Sequence, residues 1–191
     1  MIYARLSYNK NNWETPSGPY GKSRNRGVHE CDYGFGFEEW LFSKKNILSD
    51  KDGKKYHFGY LEGINKNYKQ GDENESLVLF TINNATHQRF IVGEIKSWQP
   101  INEIESTNLV QQKPELIDSM REEVRLVTPH PQLSINKFNK HLNNHIELGA
   151  TKPLQLFNIK FEVFDYRFDS DNPINNIHII NNFNRFWLHR R

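Results

Sequence analysis

The alternation of apolar and polar residues predicts short strands near the beginning, in the middle and near the end of the chain. Residues 2–6 place Ile2, Ala4 and Leu6 at alternate positions. Residues 56–63 form a second apolar run that is punctuated by glycine. Residues 157–163 have apolar side chains at the odd positions, which is typical of a strand that is buried on one face. A β-rich fold is therefore expected.

The clearest strand signal is a hairpin in the middle of the chain. Residues 76–82 and 89–95 are two β-branched, apolar runs, and residues 83–86 between them read Asn-Asn-Ala-Thr. Two such runs around a short polar turn predict an antiparallel hairpin. Because both arms are apolar throughout, we expect central strands that are buried on both faces.

Helical spacing replaces the alternation after Pro100. Residues 109–127 fit an amphipathic helix that is interrupted near Pro114 and ends before Pro131. Ser134 is a suitable N-cap for a second helix, through about residue 146. The pattern predicts helices over about 108–147, between two groups of strands.

This order of elements favours one α+β domain over residues 1–191, built on a small curved or closed β-barrel with a helical insertion. A parallel α/β sheet would need a regular alternation of strands and helices. The chain has 36% hydrophobic and 13% aromatic residues, which is typical of a globular protein. It has no apolar run of the roughly 20 residues that a membrane span needs, and no secretory signal, so we expect a cytoplasmic protein.

The formal net charge is only +2, so any binding to nucleic acid requires a local concentration of basic residues. Cys31 is the single cysteine, which excludes an internal disulfide framework and a cysteine-based zinc site. The eight histidines show no metal-binding spacing. The sequence therefore predicts neither a metal nor another cofactor.

One loop contains such a local concentration of basic residues. Residues 9–29 are polar and contain glycine, and Lys22, Arg24 and Arg26 alternate with small or polar residues. Cationic side chains on such a loop can neutralise phosphates, and a loop of this length in a compact domain is often functional. The alternative is an ordinary solvated loop.

A glycine-spaced aromatic cluster follows the loop, in the run Gly-Phe-Gly-Phe-Glu-Glu-Trp-Leu-Phe at residues 34–42. Aromatic faces can stack on bases, and carboxylates can accept hydrogen bonds from exocyclic amines. In a strand, Glu38 and Glu39 would face opposite ways, so at most one would point into a slot. The alternative is a glycine bulge with the aromatics in the core. The candidates for a base pocket in this region are Phe37, Glu38, Glu39 and Trp40, with Trp13 at the other end of the basic loop.

A metal-dependent nuclease is a second interpretation. Glu94 and Lys96 form the Glu-x-Lys pair that ends the PD-(D/E)xK signature, and Asp72 lies upstream. In a hairpin centred near Asn84, residue 94 returns beside residues 74–75, so Asp72 and Glu94 could share a metal ion. Against this interpretation, Glu-x-Lys is a short motif, and the sequence around Asp72 is typical of a solvated turn.

Several of these segments resemble known families. Residues 79–82 followed by 89–95 resemble the central hairpin of PUA-like domains, the superfamily of the EVE, YTH, ASCH and SRA-like domains. Residues 34–42, 58–63 and 157–161 together resemble the N-terminal modules of bacterial HNH-endonuclease proteins of the restriction type. In such proteins the module selects DNA and a separate domain cuts it.

The resemblance implies a PUA-like barrel that binds double-stranded DNA and senses a modified base by base flipping, in restriction or defence. Trp40 and Trp98 would form the aromatic cage, with Trp13 as a further candidate. The chain contains no His-Asn-His nuclease pattern, so cleavage would belong to a separate nuclease domain or partner. An RNA-binding PUA-like protein and a protein-interaction module are the remaining alternatives.

Overall fold

The computed structural model describes residues 1–24, 29–49, 53–128, 130–146, 156–162, 166–173 and 188–190. The described residues form two β-sheets and five α-helices, which confirms the predicted α+β class. Within these residues both sheets are open, and neither closes into a barrel.

The larger sheet contains the predicted hairpin and has the strand order β8-β5-β4-β1-β9. Strands β1 and β4 are parallel, whereas all other neighbours are antiparallel. A register shift between Leu79 and Phe80 interrupts the hairpin ladder. The strands are β1 (Ile2–Leu6), β4 (Leu77–Asn83), β5 (Gln88–Ile95), β8 (Tyr166–Pro173) and β9 (Leu188–Arg190).

The smaller sheet is antiparallel throughout and has the strand order β2-β3-β7-β6. Apolar residues from both sheets join in one buried cluster, which includes Leu79 and Phe161. This shared core fixes the two sheets against each other. The strands are β2 (Ile47–Ser49), β3 (Lys55–Gly59), β6 (Trp98–Pro100) and β7 (Ile159–Glu162).

Two of the three helices after Pro100 lie in the segment for which helices are predicted, and the first begins before it, at Glu103. The three helices are α3 (Glu103–Gln112), α4 (Pro114–Val127) and α5 (Pro131–Ile146). Pro114 and Pro131 each begin a helix, because the first turn of a helix does not need the N–H that proline lacks. The prediction of Ser134 as an N-cap is therefore wrong. Ser134 lies inside α5 and donates a hydrogen bond to the carbonyl of Tyr33, 2.9 Å away.

The aromatic cluster at residues 34–42 does not form a strand. Helix α1 (His29–Tyr33) ends at Gly34, which has a φ of 75°, and a short 3-10 helix follows at Phe37–Trp40. Helix α2 (Glu62–Asn67) comes later, directly after β3. The 3-10 geometry places consecutive side chains about a third of a turn apart, so Glu38 and Glu39 can both point inwards. The strand geometry on which that prediction rests is wrong, although Glu38 and Glu39 do enter two separate buried sites.

Candidate nucleic-acid interface and the buried carboxylates beneath it

Lys22 does not lie on the surface of the basic loop, where the sequence predicts it. Its side chain and that of Glu39 are both fully buried, and the Lys22 Nζ lies 2.7 Å from a Glu39 carboxylate oxygen. The same ammonium group donates to the carbonyl of Gly34 at 3.1 Å and to the carbonyl of Gly18. In this arrangement Lys22 cannot contact a phosphate, and its role is to hold the loop to the body of the protein.

Glu39 collects hydrogen bonds from both sides of the loop. It accepts from the Asn9 side chain at 2.7 Å, from the Ser17 N–H at 2.9 Å and from the Gly36 N–H at 2.8 Å. Burial raises the pKa of the Glu39 carboxyl, and the charge of Lys22 acts in the opposite direction. A buried charge is tolerated only where it is paired and hydrogen-bonded, and Glu39 meets both conditions.

Glu38 belongs to a second buried cluster on the other side of the same turn. One of its oxygens accepts from the Ser7 N–H at 3.1 Å and lies 2.8 Å from the Ser7 hydroxyl. The other oxygen accepts from the Glu62 N–H at 3.2 Å. The Ser7 hydroxyl also contacts the carboxylate of Glu30, which is buried as well. A β-carbon on Gly36 would lie 2.5 Å from the Ser7 Oγ, so a larger residue there would displace this hydroxyl group from its present position.

Burial raises the pKa of Glu38 from 4.5 to about 8, and the nearby charge of Glu30 adds to this effect. At neutral pH Glu38 is therefore predominantly a neutral carboxylic acid, whereas Glu39 has a lysine partner. Two adjacent glutamates in one turn thus have different charge environments, set by the groups around each of them.

The aromatic residues of the predicted base pocket form a packed cluster. The rings of Phe37 and Phe138 stack with centroids 5.9 Å apart, and the ring of Phe35 meets that of Trp40 edge-on at 6.0 Å. Tyr60 contacts Phe37 at 6.0 Å. Edge-to-face and offset pairs of this kind are typical of protein cores.

All three candidate tryptophans are buried, and the indole N–H of each one has a hydrogen-bond partner. Trp40 donates to Glu123 at 2.6 Å, Trp13 to the carbonyl of Ser7 at 2.9 Å, and Trp98 to the carbonyl of Glu75 at 2.9 Å. The six pocket candidates are at most 8% exposed. The structure therefore places Phe37 and Trp40 in one core cluster and Trp13 and Trp98 in the other. Glu38 and Glu39 are buried in two separate polar clusters.

The exposed part of the basic loop lies against the β4–β5 turn. The carbonyl of Gly21 accepts from the N–H of Asn84 at 2.8 Å and from its side-chain amide at 3.2 Å. Beside this contact the Tyr20 side chain is 49% exposed, and the Lys10 Nζ lies 3.6 Å from the centre of its ring. Arg24 is exposed, and neither it nor Lys10 forms an ion pair with a described residue. Arg26 lies outside the described residues.

The residues of the nuclease interpretation do not meet as predicted. In the β4–β5 register Glu94 pairs with Val78, not with residues 74–75, because the turn is longer and the ladder contains a bulge. Asp72 is bound by Arg190 at 2.5 Å and by the backbone N–H of Lys69 at 2.8 Å, and Lys96 is exposed. Among the described residues, no three His, Cys, Asp or Glu side chains come together as a metal site.

Sequence reasoning missed Lys10, Tyr20 and Asn84, which complete the exposed surface, and Ser7 and Glu30, which complete the buried cluster. The only sequence signal for the surface was the position of Tyr20 beside the loop glycines. No local signal identifies Ser7 or Glu30, because their contacts join β1, α1 and the 3-10 helix across long sequence distances.

Comparison of the chain with protein-family models, with characterised proteins and with solved structures gave no match. In the part of the chain that the structure describes, no helix is both long enough and apolar enough to cross a membrane.

Proposed function

We propose that the protein binds DNA through the surface formed by Lys10, Tyr20, Arg24 and the β4–β5 turn. The observation that carries this proposal is the contact between Gly21 and Asn84, which fixes the basic loop beside the exposed hairpin turn. This contact places the exposed Tyr20, which has the Lys10 ammonium group over its ring, next to the polar turn. The exposed Arg24 follows Gly21 by three residues and supplies the second cation.

The charges on this surface support an anionic partner. Lys10 and Arg24 lack a carboxylate partner among the described residues, so their charges are not locally neutralised. Exposed cations of this kind attract phosphates, and an exposed tyrosine ring can stack on a base or a sugar. The buried pair of Lys22 and Glu39 supports the proposal indirectly, because it holds the loop in one conformation.

The more specific part of the proposal is that the protein recognises a modified base by base flipping. This part depends on the PUA-like barrel that the sequence resemblance implies. Phe37 is the most exposed of the pocket candidates, at 8%, and it is stacked on Phe138. A flipped base could reach the aromatic cluster only if these two rings separated. We therefore place first contact with DNA at the exposed surface and propose base entry as a second step.

The test is the salt dependence of binding to a labelled duplex, measured by fluorescence anisotropy. The Lys10→Ala/Arg24→Ala variant should bind more weakly, and the slope of log K against log salt should fall by up to about 1.8, the value for two phosphates. Lys55→Ala/Lys69→Ala is the matched control, because it removes two exposed cations elsewhere on the surface. Equal slopes in the two variants would remove the loop surface from the interface.

Further conditions distinguish the alternatives. Duplexes with and without modified cytosine or adenine should be compared in EDTA and in Mg²⁺, together with an RNA duplex. Selective binding of modified DNA without cleavage supports the more specific part of the proposal. Tighter binding of RNA would make RNA the partner, and cleavage that requires Mg²⁺ and is lost in Glu94→Gln would favour the nuclease interpretation.

A further inference from the structure

We propose that Glu30, Ser7 and Glu38 share one proton and act as a pH-sensitive clasp between α1, β1 and the 3-10 helix at Phe37–Trp40. The geometry points to this role because one hydroxyl group contacts two buried carboxyl groups from different elements. The clasp weakens as the pH rises from acidic to mildly alkaline values. This inference does not depend on the binding of DNA.

The hydrogen-bond pattern is satisfied when one of the two carboxyl groups carries a proton, and the burial of Glu38 favours that residue as the acid. The Ser7 hydroxyl has a single hydrogen, which it can donate to Glu30, and its oxygen can then accept from a protonated Glu38. Both Glu38 oxygens also accept backbone N–H groups, from Ser7 and from Glu62. A chain from the Glu38 carboxylic acid through Ser7 to the Glu30 carboxylate satisfies all three groups with one negative charge.

The charged groups around the cluster favour this protonation state. Arg5 on β1 interacts with Glu30, Glu38 and Arg89, and burial lowers the pKa of its guanidinium group. Glu62 at the start of α2 adds a second negative charge near Glu38. Tyr60, which precedes α2, donates its hydroxyl hydrogen to Glu62, and burial raises its pKa, so it remains neutral. Ionisation of Glu38 would add a negative charge to a buried site that already contains the Glu30 carboxyl and lies near Glu62.

The sign of the pH dependence follows from the proton count. Burial raises the pKa of Glu38 to about 8, so between about pH 4.5 and pH 8 the folded protein holds a proton that the unfolded chain has lost. Stability from this group is fully present below that window, falls as the pH rises through it, and is constant above it. The unfolding equilibrium constant should therefore rise by up to about tenfold per pH unit within the window.

The experiment measures urea unfolding from pH 5 to pH 9 in the wild type, in Glu38→Gln and in Glu105→Gln. Glu105 is a partly exposed acid that is paired with Lys160, so its variant should keep the wild-type pH dependence. Glu38→Gln should lose most of the dependence above pH 5. If Glu38→Gln and Glu105→Gln show the same dependence as the wild type, the clasp is refuted.

A second measurement does not depend on the folding of that variant. In the wild type, NMR of the glutamate carboxyl carbons should show one carboxyl group that titrates near pH 8. In Glu30→Gln this titration should move to lower pH, because the substitution removes a neighbouring charge. Hydrogen exchange reports the opening of α1, through the Gly34 N–H that donates to the Glu30 carbonyl at 3.0 Å. Its protection should fall by up to about tenfold per pH unit as the pH rises towards about 8, because opening of the cluster releases the Glu38 proton. Titration of every glutamate below pH 6 would overturn the proposal.

Discussion

Replacement of Lys22 by Met tests whether the buried ion pair, and not phosphate binding, is the role of this residue. Methionine keeps most of the aliphatic volume and removes only the ammonium group, which lies 2.7 Å from Glu39. Glu39 then remains fully buried with a charge and no cation. Removal of one partner from a buried pair costs about 3–5 kcal/mol. We expect the lower end of this range, because the hydrogen bonds from Asn9, Ser17 and Gly36 remain.

The assay is urea unfolding at pH 7, followed by tryptophan fluorescence. Trp13 lies within the loop, Trp40 directly follows Glu39, and both are buried, so the emission should report the release of the loop. Lys10→Met is the matched control, because Lys10 is exposed and contacts only the face of a tyrosine ring. Its variant should lose no more than about 1 kcal/mol.

A double-mutant cycle separates the pair from its surroundings. Lys22→Met/Glu39→Gln removes both charges, so it should be destabilised by less than the sum of the two single variants. A loss below about 1 kcal/mol in Lys22→Met would exclude a costly unpaired charge and so refute the reasoning. A double variant whose loss equals the sum of the two single losses would also refute it, because the two residues would then not be coupled.

Two further substitutions test the anchoring of the loop and of the aromatic cluster. In urea unfolding, Gly21→Ala should cost about 1–3 kcal/mol more than Gly53→Ala. The two glycines have similar φ values of 75° and 77°, but only at Gly21 would the new methyl group overlap the ring of Tyr8. Equal losses would show that backbone strain alone matters. Trp40→Phe removes the indole N–H that donates to the Glu123 carboxylate at 2.6 Å, and it should cost about 1.5–3 kcal/mol. Trp98→Phe removes an N–H that donates to a neutral carbonyl, so the loss of that hydrogen bond should cost about 1 kcal/mol. A larger hydrogen-bond loss in Trp98→Phe than in Trp40→Phe would contradict the assignment of the charged acceptor to Trp40.

The elements with strong local periodicity could be predicted from the sequence. The β4–β5 hairpin and the helices α4 and α5 have apolar spacing that favours one kind of element. Most of α3 was not predictable in this way, because only Ser106 and Val110 of its residues are buried. The exact register of the hairpin could not be predicted, because the bulge after Leu79 leaves no mark in the alternation. The start of α5 could not be predicted, because a proline such as Pro131 can follow the end of one helix and is equally suited to the first turn of the next.

The candidate site could be predicted only in part, and the reason is physical. A lysine between small residues has the same local pattern whether it is solvated or paired in the interior. The burial of Lys22 depends on Glu39, which lies far along the chain and reaches it only after the 3-10 helix has formed. The same applies to Glu38, whose state depends on Ser7 and Glu30. Arg24 is the part of the prediction that remains on the surface.

The parallel pairing of β1 with β4 has a consequence for the order of folding. Strand β1 meets β4 across a long intervening segment, and its other neighbour, β9, lies near the end of the chain. Loop-closure entropy makes such distant contacts slow to form, whereas the β4–β5 hairpin needs only a short turn. The hairpin should therefore form first and serve as the template onto which β1 and then β9 are added. Pulse-labelling of backbone amides during refolding should protect residues 77–95 before residues 2–6, and early protection of β1 would exclude this order.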